Sequence, residues 1–124
     1  WRTPVDPRTG ESSIIELYVQ GKNLNGRVIQ MFDGDGKMTN RICNKCPGEL
    51  KGRPCVGMIF IEGLVRRGDR WMDGRVIDLR PGLTQGVRGT VEITLIDGKA
   101  VVHGYKGFRA FGETSTWAPV RQKR

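Results

Sequence analysis

Cys43-Asn44-Lys45-Cys46 is the arrangement in this sequence with the most chemistry on offer. Two thiols at this spacing suit dithiol redox chemistry, a structural disulfide or half of a metal site. Redox catalysis needs the pair at a helix N-terminus, where the dipole lowers a thiol pKa. Pro47 and Gly48 follow instead, and no helical pattern succeeds them. Redox catalysis therefore ranks low. Cys55 and the single histidine, His103, complete a zinc set of three thiols and one imidazole on paper. His103 would have to reach that point from a distant strand, which disfavours zinc. Zinc and a Cys43–Cys46 disulfide exclude each other, so a thiol count decides between them. Asp33-Gly34-Asp35-Gly36 has the look of a calcium loop but lacks the spaced oxygen ligands and closing Glu. It reads as a turn. Trp1, Trp71 and Trp117 offer ligand-stacking rings, yet large aromatics more often plug a core.

The elements that must hold these residues are strands. Turn signals recur at Asp6-Pro7, Gly21-Lys22-Asn23, Asp33–Gly36, Pro47-Gly48, Arg67-Gly68-Asp69, Pro81-Gly82 and Asp97-Gly98. Runs rich in Val, Ile, Thr and aromatics lie between them. They predict strands near Ser13–Gln20, Leu24–Phe32, Val56–Leu64, Trp71–Leu79, Gly86–Ile96, Lys99–Lys106 and Glu113–Val120, with an eighth from the region of Trp1. No window carries an i, i+3, i+4, i+7 apolar pattern. The expectation is one all-β domain over residues 1–120, a barrel or sandwich, followed by a basic tail at 121–124. Residues 33–54 lack periodicity and read as a long loop, a place where function often resides.

Asp97-Gly98 is a two-residue hairpin turn, and accepting it sets a register. Ile96 pairs with Lys99, Leu95 with Ala100, Ile93 with Val102, Glu92 with His103 and Thr90 with Tyr105. Paired residues share a face. Val91, Ile93, Leu95, Ala100 and Val102 then point inward, and Glu92, His103 and Tyr105 outward. Glu92 is a neighbour for His103, but the register supplies no Ser or Cys nucleophile. An exposed His–Glu pair of little energetic value is the plain reading, and no catalytic apparatus is expected.

The chain has 124 residues, 21 basic and 13 acidic, for a net charge of +8. Without the three cations of the tail the balance is +5, ordinary for a small basic domain. Such charge permits weak, salt-sensitive contact with nucleic acid. A nucleic-acid-binding OB-like barrel is the competing class. Its stacking aromatics should interleave with Lys and Arg on one strand face, which they do not. No specific nucleic-acid partner is expected. No apolar run approaches the ~20 residues of a spanning helix. Starting at Trp1 without a basic-then-apolar leader, the chain reads as a processed or trimmed product.

Several motifs together resemble a known family. They are Trp1–Pro4, Ser13-Ile14-Ile15-Glu16-Leu17-Tyr18, Leu24-Asn25-Gly26-Arg27-Val28, Cys43–Gly48, Pro54–Leu64, Trp71-Met72-Asp73-Gly74, Gly104-Tyr105-Lys106-Gly107 and Gly112–Trp117. Their order and spacing resemble the bacterial domain of unknown function 2147. Departures are Asp78-Leu79-Arg80-Pro81-Gly82, Trp117-Ala118-Pro119 and the additional Cys55. The resemblance implies a lipocalin-like (calycin) antiparallel up-and-down barrel of about eight strands. It also implies export to the periplasm or beyond, and no known reaction. In an exported loop Cys43 and Cys46 are read as a structural disulfide, with Cys55 a free thiol. The implied functional surface is the barrel interior and its mouth. Val91, Ile93 and Val102 line it by alternation, with Met58, Phe60, Val28 and Val76 added by the family-like pattern. Trp71 and Tyr105 are placed at the rim. That lining suits a small hydrophobic or amphipathic guest, without cofactor or metal. A structural or protein-interaction domain without ligand is the further alternative.

Overall fold

The computed structural model describes residues 1–120; the expected basic tail at 121–124 lies outside the described residues. Ten strands form among the described residues: β1 Ser12–Gln20, β2 Asn23–Phe32, β3 Met38–Thr39, β4 Ile42–Cys43, β5 Arg53–Pro54, β6 Ile59–Arg67, β7 Arg70–Ile77, β8 Arg88–Ile96, β9 Lys99–Tyr105 and β10 Glu113–Trp117. Helix is limited to single 3-10 turns at Gly48–Leu50 and Arg109–Phe111 among the described residues. Seven long strands make one antiparallel sheet in the order β1-β2-β6-β7-β8-β9-β10, with β3 pairing alongside β2. The order follows the chain, because each tight turn returns the strand beside its predecessor. The sheet curls into a half-barrel of seven strands, and the short β3 is the eighth strand of the sheet.

The segment from Trp1 does not form an eighth strand. Arg2 alone bridges the two edges, pairing with Ile14 of β1 and with Ala118 just after β10. Arg2 N donates to Ala118 O (2.7 Å) and Thr3 N to Ser13 O (2.9 Å), which satisfies edge groups that would otherwise stand open. The curl comes from bulges. Ile61 and Ile59 of β6 oppose Gly26 and Arg27 of β2, so Phe60 is an extra residue without a partner on β2. Trp71 and Gly74 oppose Ile93 and Val91, which places Met72 and Asp73 against Glu92 alone. Asp73 takes φ 59° there. Extra residues of this kind bend a strand and increase its twist.

The β8–β9 hairpin has the register that its turn dictates, from Ile96↔Lys99 through Thr90↔Tyr105. Asp97 and Gly98 both hold positive φ, 51° and 75°, as a primed turn requires. Residues 33–58 are less open than a loop reading implies: they contain β3, the β4–β5 pair and a 3-10 turn. The strand expected from Val56 begins later, at Ile59.

Candidate functional site

The two ends of the half-barrel differ. Residues 33–58 and 78–87 close one end. Cys43 is bonded to Cys46, with Cα atoms 5.4 Å apart, and both are buried. Cys55 is a buried free thiol. Burial pushes its pKa up against the Arg41 guanidinium, which pulls it down, while Glu11 pushes it further up. Arg41 ties the two segments together: its guanidinium donates to Glu11 (3.2 Å) and to the Leu79 carbonyl, and approaches the Cys55 sulfur at 3.9 Å. Lys45 Nζ donates to Gly82 O at 3.2 Å. The zinc alternative is not assembled. Two of its thiols are bonded to each other, and the His103 ring nitrogens meet Thr114 Oγ1 and Arg109 O, each at 2.7 Å.

Asp78 anchors the second closing segment. One oxygen accepts from Arg80 N (2.9 Å) and Arg80 Nε (3.0 Å), the other from Thr84 Oγ1 (2.7 Å) and Arg80 Nη2 (2.9 Å). Burial by itself would raise the carboxyl pKa; the Arg80 and Thr84 bonds outweigh it and hold it below the ordinary value. A carboxylate lowered in the folded state adds stability above its unfolded pKa, lost as the pH falls through the folded one. Asp78→Asn is therefore expected to be destabilising near neutrality and to flatten the loss of stability below about pH 4. Urea unfolding at stepped pH measures this; parallel acid profiles for variant and wild type would contradict it.

On the outer face of β8–β10, Glu92 is covered rather than exposed. The Arg109–Phe111 turn lies over it, and Arg109 Nε and Nη2 fork onto Glu92 Oε1 at 2.8 and 2.7 Å. Glu92 Oε2 is buried without a hydrogen-bond partner among the described residues. The alternation rule gave the side of the sheet correctly, but it does not register a later segment folding across that side.

Inside, the residues expected to line the barrel pack together. Met58, Val91, Ile93 and Val102 belong to the buried core with Ile15, Val28, Ile61, Leu64 and Trp117, and Phe60, Trp71 and Val76 pack against it. Two surface depressions of about 320 and 310 Å3 are present, one lined by Arg2, Ser12, Phe32 and Asp33, the other by Glu16, Arg27, Val28, Ile29 and Val56. Trp71 and Tyr105 do not share a rim. Trp71 is on the inner face near the β6–β7 turn, paired with Ile93. Tyr105 ends β9 at the opposite end and on the outer face, its ring 5.7 Å from that of His103.

The other end is where three tight turns gather: Gly21-Lys22, Gly68-Asp69 and Asp97-Gly98. Three rows of paired residues run up to it on the inner face. Arg66, Trp71, Ile93, Val102 and Ser115 form one. Leu95, Ala100 and Trp117 form a second, and Val19, Leu24 and Leu64 a third. Ala100, Trp117, Leu24 and Leu64 are buried and make a floor. Val19 and Leu95 face the same way yet are 60% and 59% exposed. Leu95 is thus a rim residue and not core. Val19 and Arg66 were not singled out from the sequence. Position along the strand supplies no signal for them, because Leu24 and Ala100 stand equally close to a turn on the same face and are buried.

A search of curated proteins found no match to the chain, and a search of solved structures found none. The family model described as "Uncharacterized protein conserved in bacteria (DUF2147)" matches residues 1–119. With nearly every described residue inside that match, the chain belongs to the DUF2147 family of bacterial proteins.

Proposed function

We propose that this domain is an exported binding module of the bacterial envelope, not an enzyme, and that it receives an apolar or amphipathic guest at its hairpin end. One observation carries the reading: Val19 and Leu95 point toward the barrel axis by register but remain about three-fifths exposed. Burying such side chains would be favourable by ~25 cal/mol per Å2, and the described residues do not cover them. Half-buried Trp71 lies on the same face, paired with Ile93 two residues before Leu95 and with Arg66. Arg66 Nε donates to Gly68 O at 3.1 Å, which holds its cation at the turn, next to the apolar floor. An aliphatic body with an anionic head matches that pairing. The family resemblance to lipocalin-like barrels, which take small guests through an open end, supports the same assignment.

N-phenyl-1-naphthylamine, a neutral apolar fluorophore, tests it. Saturable binding to wild type is expected, weakened by Leu95→Ser by about 1–2 kcal/mol, roughly five- to thirty-fold. Ile29→Ser, at an exposed apolar position on β2 near the other depression, should leave the titration unchanged. Absence of binding, or equal loss in both variants, would defeat the reading.

A further inference from the structure

Resting on that reading of the hairpin end, we propose that the end face docks on the surface of an anionic lipid bilayer. The argument begins with what projects there. Gln20↔Asn23, Arg67↔Arg70 and Ile96↔Lys99 are the last pairs before the three turns. Val19, Leu95 and Ile96 next to them are exposed aliphatics, and so is Val120, where the described chain leaves β10 on the same side. Four exposed aliphatic side chains therefore collect at one end of a small barrel. Single exposed apolar residues are ordinary; a gathered set marks an interaction site.

Charge then selects the partner. Lys22, Arg66, Arg67, Arg70 and Lys99 surround this set, against the carboxylates Asp69, Asp73 and Asp97. Asp73 is already engaged by Arg67 at 3.0 Å. Aliphatic tips enclosed by an excess of positive charge match the two layers of an anionic membrane surface. The cations meet lipid phosphates, and the aliphatics enter the boundary between headgroups and acyl chains. The opposite end also exposes Val5, Met38 and Leu83, but Arg8, Arg41 and Arg80 there are paired with Asp6, with Glu11, and with Asp78 and Glu113.

Sedimentation with sucrose-loaded vesicles decides the matter, using the full 124-residue chain. Vesicles of phosphatidylethanolamine with one-quarter phosphatidylglycerol are compared with pure phosphatidylcholine. Binding to the anionic vesicles is expected to exceed that to phosphatidylcholine by roughly tenfold or more and to fall about fivefold or more between roughly 0.05 and 0.5 M NaCl. The pair Leu95→Ser with Ile96→Ser should reduce it about tenfold, and Lys22→Gln with Lys99→Gln by a similar factor. Leu83→Ser, at a 96% exposed site in the opposite closing segment, should change nothing. Equal binding to both vesicle types, or equal sensitivity to Leu83→Ser, would overturn docking. So would failure to pellet with anionic vesicles while wild type still binds the naphthylamine probe and Leu95→Ser weakens it; the guest-binding reading would then stand alone. Failure of both assays would remove both.

Discussion

Gly74→Ala and Leu64→Ala are each expected to destabilise the domain, and the double variant is expected to be more stable than their sum. Gly74 is buried in β7 opposite Val91. A Cβ on it would lie 2.5 Å from Leu64 Cγ, 2.8 Å from Leu64 Cδ2 and 3.0 Å from Val91 Cγ1. Cγ is a branch point held in a fully buried side chain, so it cannot swing aside. Overpacking of this kind costs about 1–3 kcal/mol. Leu64→Ala leaves a cavity and costs about 2–5 kcal/mol, a large part of the ~5–15 kcal/mol available to a domain. In the double variant the methyl added at Gly74 enters the space that Leu64 vacates, so the pair should be coupled by about 1–3 kcal/mol. Urea unfolding of the four proteins gives the cycle. Additivity to within about 0.5 kcal/mol would mean that the barrel interior is not closed around these side chains.

Gly86→Ala is expected to part the two segments that close the far end. Gly86 has φ +84°, and its Cβ would lie 1.9 Å from Lys45 O, 2.5 Å from Lys45 C and 3.0 Å from Cys46 N. These are backbone atoms of a loop clamped by the Cys43–Cys46 bond, so neither side can yield. The left-handed conformation alone costs a non-glycine residue about 1–2 kcal/mol. Displacing the segment adds the loss of Arg41 to Leu79 O and of Lys45 to Gly82 O. The total expected is about 2–4 kcal/mol. Cys55 reports it directly, since Arg41 covers its sulfur. Wild type should show one reactive thiol per chain when denatured without reductant, and almost none when native. Native Gly86→Ala should react with Ellman's reagent roughly tenfold faster or more. An unchanged native rate would refute the arrangement.

The thiol also gives stability a sign with pH. A raised folded-state pKa keeps the neutral form, so the contribution is full below the unfolded thiol pKa and is lost as the pH climbs through the folded one.

Much of the fold is local, and therefore legible. Asp97-Gly98 dictates a primed turn, the turn dictates the β8–β9 register, and the register assigns a face to every residue of the hairpin. The same logic joins β1 to β2, β6 to β7 and β8 to β9, each through a two-residue turn, whereas the other three junctions are longer. The depth of each residue is not local. Leu95 and Ile93 share a face and a strand, but Ile93 has a layer above it and Leu95 has none. Glu92 is outward by alternation and buried in fact, because Arg109, seventeen residues on, folds back across it. Trp71 and Tyr105 both look like rim aromatics in the sequence, and the direction of their strands sends them to opposite ends.

By itself the sequence determined an all-β chain, its main turns, and the pairing and the inner and outer sides of the β8–β9 hairpin. These depend on contacts a few residues apart, or on a period of two that any strand obeys. Only the tertiary structure decided that bulges at Phe60 and Asp73 curl the sheet, and that Arg2 bridges its edges. It alone decided that one end is closed and the other bare. That asymmetry depends on where two loops, distant in sequence, come to rest. Their meeting is set by close backbone approach, as at Gly86 and Lys45, and by long side-chain reaches such as Arg41 to Leu79. No spacing along the chain encodes either.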